Sequence, residues 1–318
     1  MQKKIENLLL VIILVAFLFY FIINYNINNA IRDISKINIT FLPYIAFAWI
    51  MFTALKFIPW LLAIKKVKVR MPLIKSFLMM YSFFGLGMGS SGIGQLIPLR
   101  GLDNFKKNAR FSSVGIMIFL GATGGMAAII LALTASIILS KFILYLLFIF
   151  AAAYVFLTIL GFESPYKILN NFIKKHKHLN SIKSIKEALK YIEGMRKNRD
   201  LLAQRYFLLG SISFIPSIIF EALLLGFILA SFNVFLPFWS IIFIFTVAVT
   251  VGSISMIPAG IGTEDVSMIA LMVIFNVPGI LAISSLVIFR FLNTFLVVIA
   301  GYLSIGILNL KNREGYGK

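Results

Sequence analysis

The feature that most constrains this chain is a series of long apolar runs separated by short basic loops. The runs are Leu8–Ile23, Leu42–Ile64, Ser76–Ile97, Ser112–Leu139 and Phe142–Gly161, then Tyr206–Ala230, Phe235–Ile257, Ile261–Asn276 and Gly279–Leu310. A helix needs about 20 apolar residues to cross a bilayer, so most of these reach or approach that length and 261–276 is short. In lipid every backbone polar group must be satisfied within the protein, which leaves helices or closed barrels. Unbroken runs without alternation read as helices. The expected fold is therefore all-α: a polytopic transmembrane helix bundle of about 7–9 hydrophobic segments, forming a single integral membrane domain over residues 1–318.

Composition agrees. Of the residues, 60% are hydrophobic and 13% charged, and the mean hydropathy is +0.98. A soluble domain cannot keep its surface wet with that balance. The net charge of +19 raises nucleic acid as a partner. The basic residues, however, sit in short runs between apolar segments, the pattern of cytoplasmic loops facing anionic lipid, so no nucleic-acid partner is expected. The chain has no cysteine, which excludes disulfides, thiolate nucleophiles and cysteine-ligated metals. His176 and His178 lie in a charged loop without flanking acidic ligands, so no metal and no cofactor are expected.

Charge also bears on topology. The first run follows Lys3 and Lys4 and lacks a small-residue cleavage site, so it reads as an uncleaved span with its N-terminus inside. Segments 65–75, 98–110 and 162–205 are all basic, and the positive-inside rule places all three in the cytoplasm. The C-terminal tail, with Lys311, Arg313 and Lys318, goes there too. That count balances only if 76–97 re-enters and leaves on the side it entered, or if a full span is followed by re-entry around Gly92–Asp103. One or two re-entrant or broken helices are therefore expected. The loop 162–205 joins the two halves. Its Ile182, Ile185, Leu189 and Ile192 recur at helical spacing, as in a surface-lying amphipathic helix or a plain linker helix.

Two segments break the apolar pattern with proline and glycine beside an acid. The first runs from Gly94 through Pro98, Arg100, Gly101 and Asp103 to Lys106 and Lys107. A helix starting near Asp103 would offer free N–H groups and the positive dipole end to an anion, with Arg100, Lys106, Lys107 and Arg110 adding charge. An ordinary basic loop capped by Asp103 explains the same residues. The second runs from Ser253 through Pro258, Gly260, Gly262 and Thr263 to Glu264 and Asp265. Thr263 is the expected N-cap, with both acids in the first turn. Paired Gly/Pro-interrupted segments in two halves are a pointer to a transporter-like binding site. Inside the apolar runs lie Lys56, Glu221 and Arg290. Lys56 is read as snorkelling to an interface. Arg290 needs a partner at that depth, with Glu264, Asp265 or Glu221 as candidates, either as a functional pair or as a packing ion pair. No serine elbow, P-loop or H-E-x-x-H is present, so the chain is not expected to be an enzyme.

These residues resemble the transmembrane region of lysylphosphatidylglycerol synthases, a family also met as stand-alone flippase-like membrane proteins. The family's P-G-R-x-G-E/D element with a following basic residue is similar to Pro98-Leu99-Arg100-Gly101-Leu102-Asp103 with Lys106. Its late P-x-G-x-G-x-x-E-like element is similar to Pro258-Ala259-Gly260-Ile261-Gly262-Thr263-Glu264, and its late arginine ahead of a glycine to Arg290 and Gly301. Leu99, Leu102 and Ala259 depart from the family's glycines. The resemblance implies movement or handling of anionic or polyprenyl-linked lipids at the cytoplasmic membrane, with anionic headgroups as partners. The longest hydrophilic segment is too short for an aminoacyl-transferase domain, so lipid aminoacylation is not carried over. An enzyme acting on lipid phosphates, using Asp103, Glu264 or Asp265, and a non-transporting accessory subunit of envelope-lipid synthesis are the alternatives. The lipid and the oligomeric state are not legible.

Overall fold

Lipid replaces water as the outer solvent of this bundle, and its helices are apolar on both their inner and outer faces. The computed structural model describes residues 37–67, 69, 71–89, 98, 109–139, 171, 204–254, 260 and 262–314. Among the described residues all regular structure is helical. A short 3-10 turn, Ile39–Phe41, leads into α1 (Leu42–Leu55) and α2 (Phe57–Lys66), which meet at Lys56. They are followed by α3 (Leu73–Gly89), α4 (Ala109–Ile138), α5 (Gln204–Ser231), α6 (Phe238–Ile254), α7 (Thr263–Ile274) and α8 (Gly279–Arg290). A π-helical turn, Phe291–Phe295, joins α8 to α9 (Leu296–Glu314). The runs Leu8–Ile23 and Phe142–Gly161, the loop 162–205 with His176 and His178, and the expected turn-back after residue 89 lie outside the described residues, apart from Pro98, Asn171, Gln204 and Arg205.

Among the described residues four stretches are long and apolar enough to span a membrane: Ile39–Lys66, Gly115–Ile138, Arg205–Ser231 and Gly279–Leu308. Leu73–Met88 and Phe238–Ser253 are shorter apolar helices. The polytopic all-α expectation holds. Large side chains such as Leu42, Phe47, Ile50, Ile212, Ile280 and Leu303 are exposed on the outside, where lipid chains would cover them.

Helix α5 is the central post, packing on α1, α4, α6 and α8. Its C-terminal end is tied to the start of α1 by a hydrogen bond from Asn38 N–H to the Ser231 carbonyl (2.9 Å). Helix α3 packs along α9, and α6 packs on both α4 and α7. The α3–α9 crossing is unusually close because it is made by glycines. A Cβ on Gly85 would stand 2.5 Å from the Val297 carbonyl oxygen and 2.9 Å from the Gly301 Cα. Small residues allow this kind of backbone approach where no hydrophobic force drives helices together. Buried hydroxyls are satisfied on their own helices: Thr123 donates to the Phe119 carbonyl (2.6 Å), Thr246 to Ile242 (2.6 Å) and Thr250 to Thr246 (2.7 Å). These three threonines thus enter the apolar interior with their hydroxyls satisfied.

Candidate functional site

The site begins at the start of α7, which packs against α6. Helix α6 ends at Ile254 and α7 starts at Thr263. Gly260 (φ +64°) and Gly262 (φ +89°) adopt the left-handed region that favours glycine. Sequence reasoning placed the cap at Thr263. Gly262 occupies that position instead, because its positive φ turns the chain into the helix one residue earlier. Thr263 becomes the first helical residue and its hydroxyl donates to the Gly260 carbonyl (3.3 Å). Asp265, three residues into the helix, accepts the Gly262 N–H through Oδ2 (2.9 Å).

Arg290 meets this helix start. Its Nε donates to Asp265 Oδ1 at 2.6 Å. Its Nη2 lies 3.2 Å from Glu264 Oε1, and its Nη1 lies 3.4 Å from the Thr294 hydroxyl one turn on. Arg290 is 4% exposed, Asp265 4% and Glu264 8%, so all three charges are withdrawn from solvent and lipid alike. Glu264 packs on bare backbone. A Cβ on Gly252 would come 2.8 Å from the Glu264 Cβ, and one on Gly260 would come 2.5 Å from its Oε2.

Chain geometry explains why these residues meet. Helices α7 and α8 each hold 12 residues and are joined by the turn at 275–278. At about 1.5 Å per residue each arm rises about 18 Å, which brings the first turn of α7 level with the last turn of α8. With the connecting turn at a membrane interface, that level falls near the middle of a hydrocarbon core about 30 Å thick.

Immediately after Arg290 the helix widens into the π turn, a feature that frequently marks functional positions. The Leu292 carbonyl in this turn accepts the indole N–H of Trp49 from α1 (2.8 Å). Asn293 and Thr294 are buried beside it.

A second buried pair stands across the bundle. Lys56 Nζ lies 3.1 Å from Glu221 Oε2, and its ammonium sits over the rings of Phe52 (4.7 Å) and Phe84 (5.8 Å). Sequence reasoning sent Lys56 to an interface. The side chain instead turns inward, drawn by the Glu221 carboxylate and the aromatic faces, which attract cations more strongly when desolvated. A small cavity lies beside it, lined in part by Thr53, Tyr81 and Phe84. Glu221 is thus committed to Lys56, not Arg290.

The structure therefore brings together Gly260, Gly262, Glu264, Asp265 and Arg290, while Glu221 pairs with Lys56. Pro98 is buried. Arg100, Gly101, Asp103, Lys106, Lys107 and Pro258 lie outside the described residues. Sequence reasoning missed Trp49, Gly252 and Thr294. Thr294 alone carried a signal, standing four residues after Arg290, where helical side chains are neighbours. Among the described residues no group of three or more His, Asp or Glu side chains is placed to hold a metal.

A bundle of membrane-length helices, with charges buried in the first turn of one helix and the last turn of the next, defines a polytopic integral membrane protein. Residues 7–301 match the family model described as the lysylphosphatidylglycerol synthase TM region, and the chain belongs to that family. This bears out the resemblance read from the two broken segments. The chain is also 38% identical over 81 residues to a "UPF0104 membrane protein" of Methanothermobacter thermautotrophicus, a match that covers 26% of this chain and 24% of that protein. The chain thus spans about a quarter of the length of this curated relative.

Proposed function

We propose that the chain handles or moves anionic or polyprenyl-linked lipids across the cytoplasmic membrane and is not an enzyme. The observation that carries this reading is Arg290 held between Glu264 and Asp265 at the start of α7. A buried ion pair is a weak device for stability, since apolar residues of similar volume hold a bundle as well or better. Ionisable groups at membrane depth belong by default to a substrate or ion pathway. Arg290 is the group that a passing phosphate would recruit, because guanidinium binds carboxylate and phosphate with the same fork. In this scheme Arg100, Lys106 and the helix start at Asp103 receive the headgroup at the interface. The Glu264–Asp265–Arg290 group then opens and closes along the path. The family membership supports a lipid-related role. Both termini and the basic loops face the cytoplasm on this reading.

Reconstitution into liposomes with labelled anionic phospholipid tests it. The label should change leaflet, and Arg290→Ala and Glu264→Ala should each slow that change. Lipid that stays in place but is chemically altered would make the chain an enzyme, and lipid that does neither would leave an accessory role. Single cysteines at positions 103 and 185 should react with an impermeant thiol reagent from the same face, since the chain has none of its own. Labelling from opposite faces would overturn the orientation.

A further inference from the structure

Helices α8 and α9 form one span with a break in its phase. The Leu296 N–H donates to the Phe291 carbonyl, five residues back. In an α-helix it would donate to Leu292, so the Leu292 carbonyl loses its helical donor. The indole N–H of Trp49 takes that donor's place at 2.8 Å. An unmet carbonyl at membrane depth is costly, and α1 supplies the hydrogen bond that the helix withholds.

The π turn takes up about one residue, which is about 100° of helix rotation. The lipid-facing side chains record it. Phe291 and Leu303 are 46% and 63% exposed. Twelve residues of regular helix would set them about 120° apart, whereas the π turn brings them to within about 20°. The same offset applies to Arg290, which precedes the turn. After the turn α9 has no freedom to rotate, because only a glycine fits against α3 there. A Cβ on Gly301 would stand 2.9 Å from the Gly85 Cα and 2.9 Å from the Tyr81 carbonyl oxygen. The direction in which Arg290 points is therefore set by where the π turn sits.

We infer that Trp49 is a positioning residue for Arg290: its indole pins the π turn on the C-terminal side of the arginine and so keeps the guanidinium on Asp265. When the π turn moves toward the start of α8, past Arg290, the Leu296 N–H returns to the Leu292 carbonyl and Trp49 loses its acceptor. Arg290 then follows the phase of α9 and swings by about 100°, off Asp265. The Trp49–Leu292 hydrogen bond and the Arg290–Asp265 contact thus stand or fall together. Under the lipid-handling reading this movement is how the charged group opens, and that extension rests on the proposed function. The positioning role does not, so it is tested without any lipid assay.

The experiment is electron paramagnetic resonance of the full chain in nanodiscs, with one spin label on Ile283→Cys, Phe291→Cys or Leu303→Cys, since the chain has no cysteine of its own. Oxygen concentrates in lipid, so a label that turns off the lipid face loses oxygen collisions. In Trp49→Phe the label at 291 should lose collisions while those at 283 and 303 keep theirs, and adding Arg290→Met should complete the loss. Equal loss at all three positions would mean general loosening and overturn the inference, as would an unchanged label at 291 in the double variant. Deletion of Asn293 gives an independent check. Its Oδ1 is buried without a hydrogen-bond partner, so no contact of that oxygen is lost. The deletion leaves four residues where the π turn has five, and a regular α-helix then joins Arg290 to Gly301 at their present angle. Trp49→Phe in that background should leave the label at 291 on the lipid face. Loss of collisions there would overturn the inference. If Trp49→Phe alone does not fold, rescue by the deletion supports the positioning role and failure of rescue overturns it.

Discussion

Replacing Arg290 by methionine keeps much of the side-chain volume and removes the charge that holds Glu264 and Asp265. Both carboxylates stay buried, at 8% and 4% exposure, and the 2.6 Å and 3.2 Å contacts vanish together. Removing one partner of a buried ion pair costs about 3–5 kcal/mol. Proton uptake by the abandoned acids relieves part of this, so the lower end, about 3 kcal/mol, is expected. That is a change of roughly a hundredfold in the folded-to-unfolded ratio. The assay is unfolding in mixed micelles titrated with a denaturing detergent, followed by helical circular dichroism. The decisive comparison is the triple variant Arg290→Met/Glu264→Gln/Asp265→Asn, which removes the whole group and should recover most of the loss. A loss below about 1 kcal/mol for the single variant would place the pair among ordinary surface contacts and refute the reasoning. So would a triple variant no more stable than the single one.

Three further outcomes follow from the packing. Gly85→Ala puts a methyl group 2.5 Å from the Val297 carbonyl oxygen and 2.9 Å from the Gly301 Cα, both rigid backbone, so α3 and α9 must separate at a cost of about 1–3 kcal/mol in the same unfolding assay. Gly121→Ala, whose new methyl meets nothing within 4 Å, should instead gain about 0.5–1 kcal/mol from helix propensity. Trp49→Phe keeps an aromatic ring but withdraws the donor from the Leu292 carbonyl, and should cost about 1–3 kcal/mol and speed amide exchange in the π turn. Unchanged exchange there would show that the indole does not hold the turn.

Much of the bundle was legible because lipid imposes a simple rule on sequence. The apolar runs at 42–64, 206–230 and 279–310 became α1 with α2, α5, and α8 through α9 with ends close to those read from hydropathy alone. The short run at 261–276 became a 12-residue helix for the reason its length gave, since it cannot cross unaided. The pairing of Arg290 with Glu264 and Asp265 was legible as a need, because a lone arginine at that depth requires a partner. Which acid it would choose was not. That choice depends on two equal helix lengths and a four-residue turn, quantities that hydropathy does not carry. Lys56 was misread because reach alone does not decide between an interface and an inward partner. The Glu221 carboxylate and the rings of Phe52 and Phe84 decide it, and of these only Phe52 is a neighbour in sequence. The π turn left no trace in residue type, since Phe291–Phe295 reads as ordinary helix and only its backbone geometry sets it apart.

The equal arms of α7 and α8 also bear on how the chain enters a membrane. An arginine at the centre of a lone helix costs about 2.5–3.5 kcal/mol to insert. Here both acids precede Arg290 by only 25 and 26 residues, on the preceding arm of a single hairpin. The hairpin carries its own counter-ions, so Arg290 need not wait for distant helices to be synthesised and docked before its charge is met. Insertion of 263–290 as a unit delivers the arginine to its depth already paired, which makes α7 as much an escort for biogenesis as a wall of the finished site.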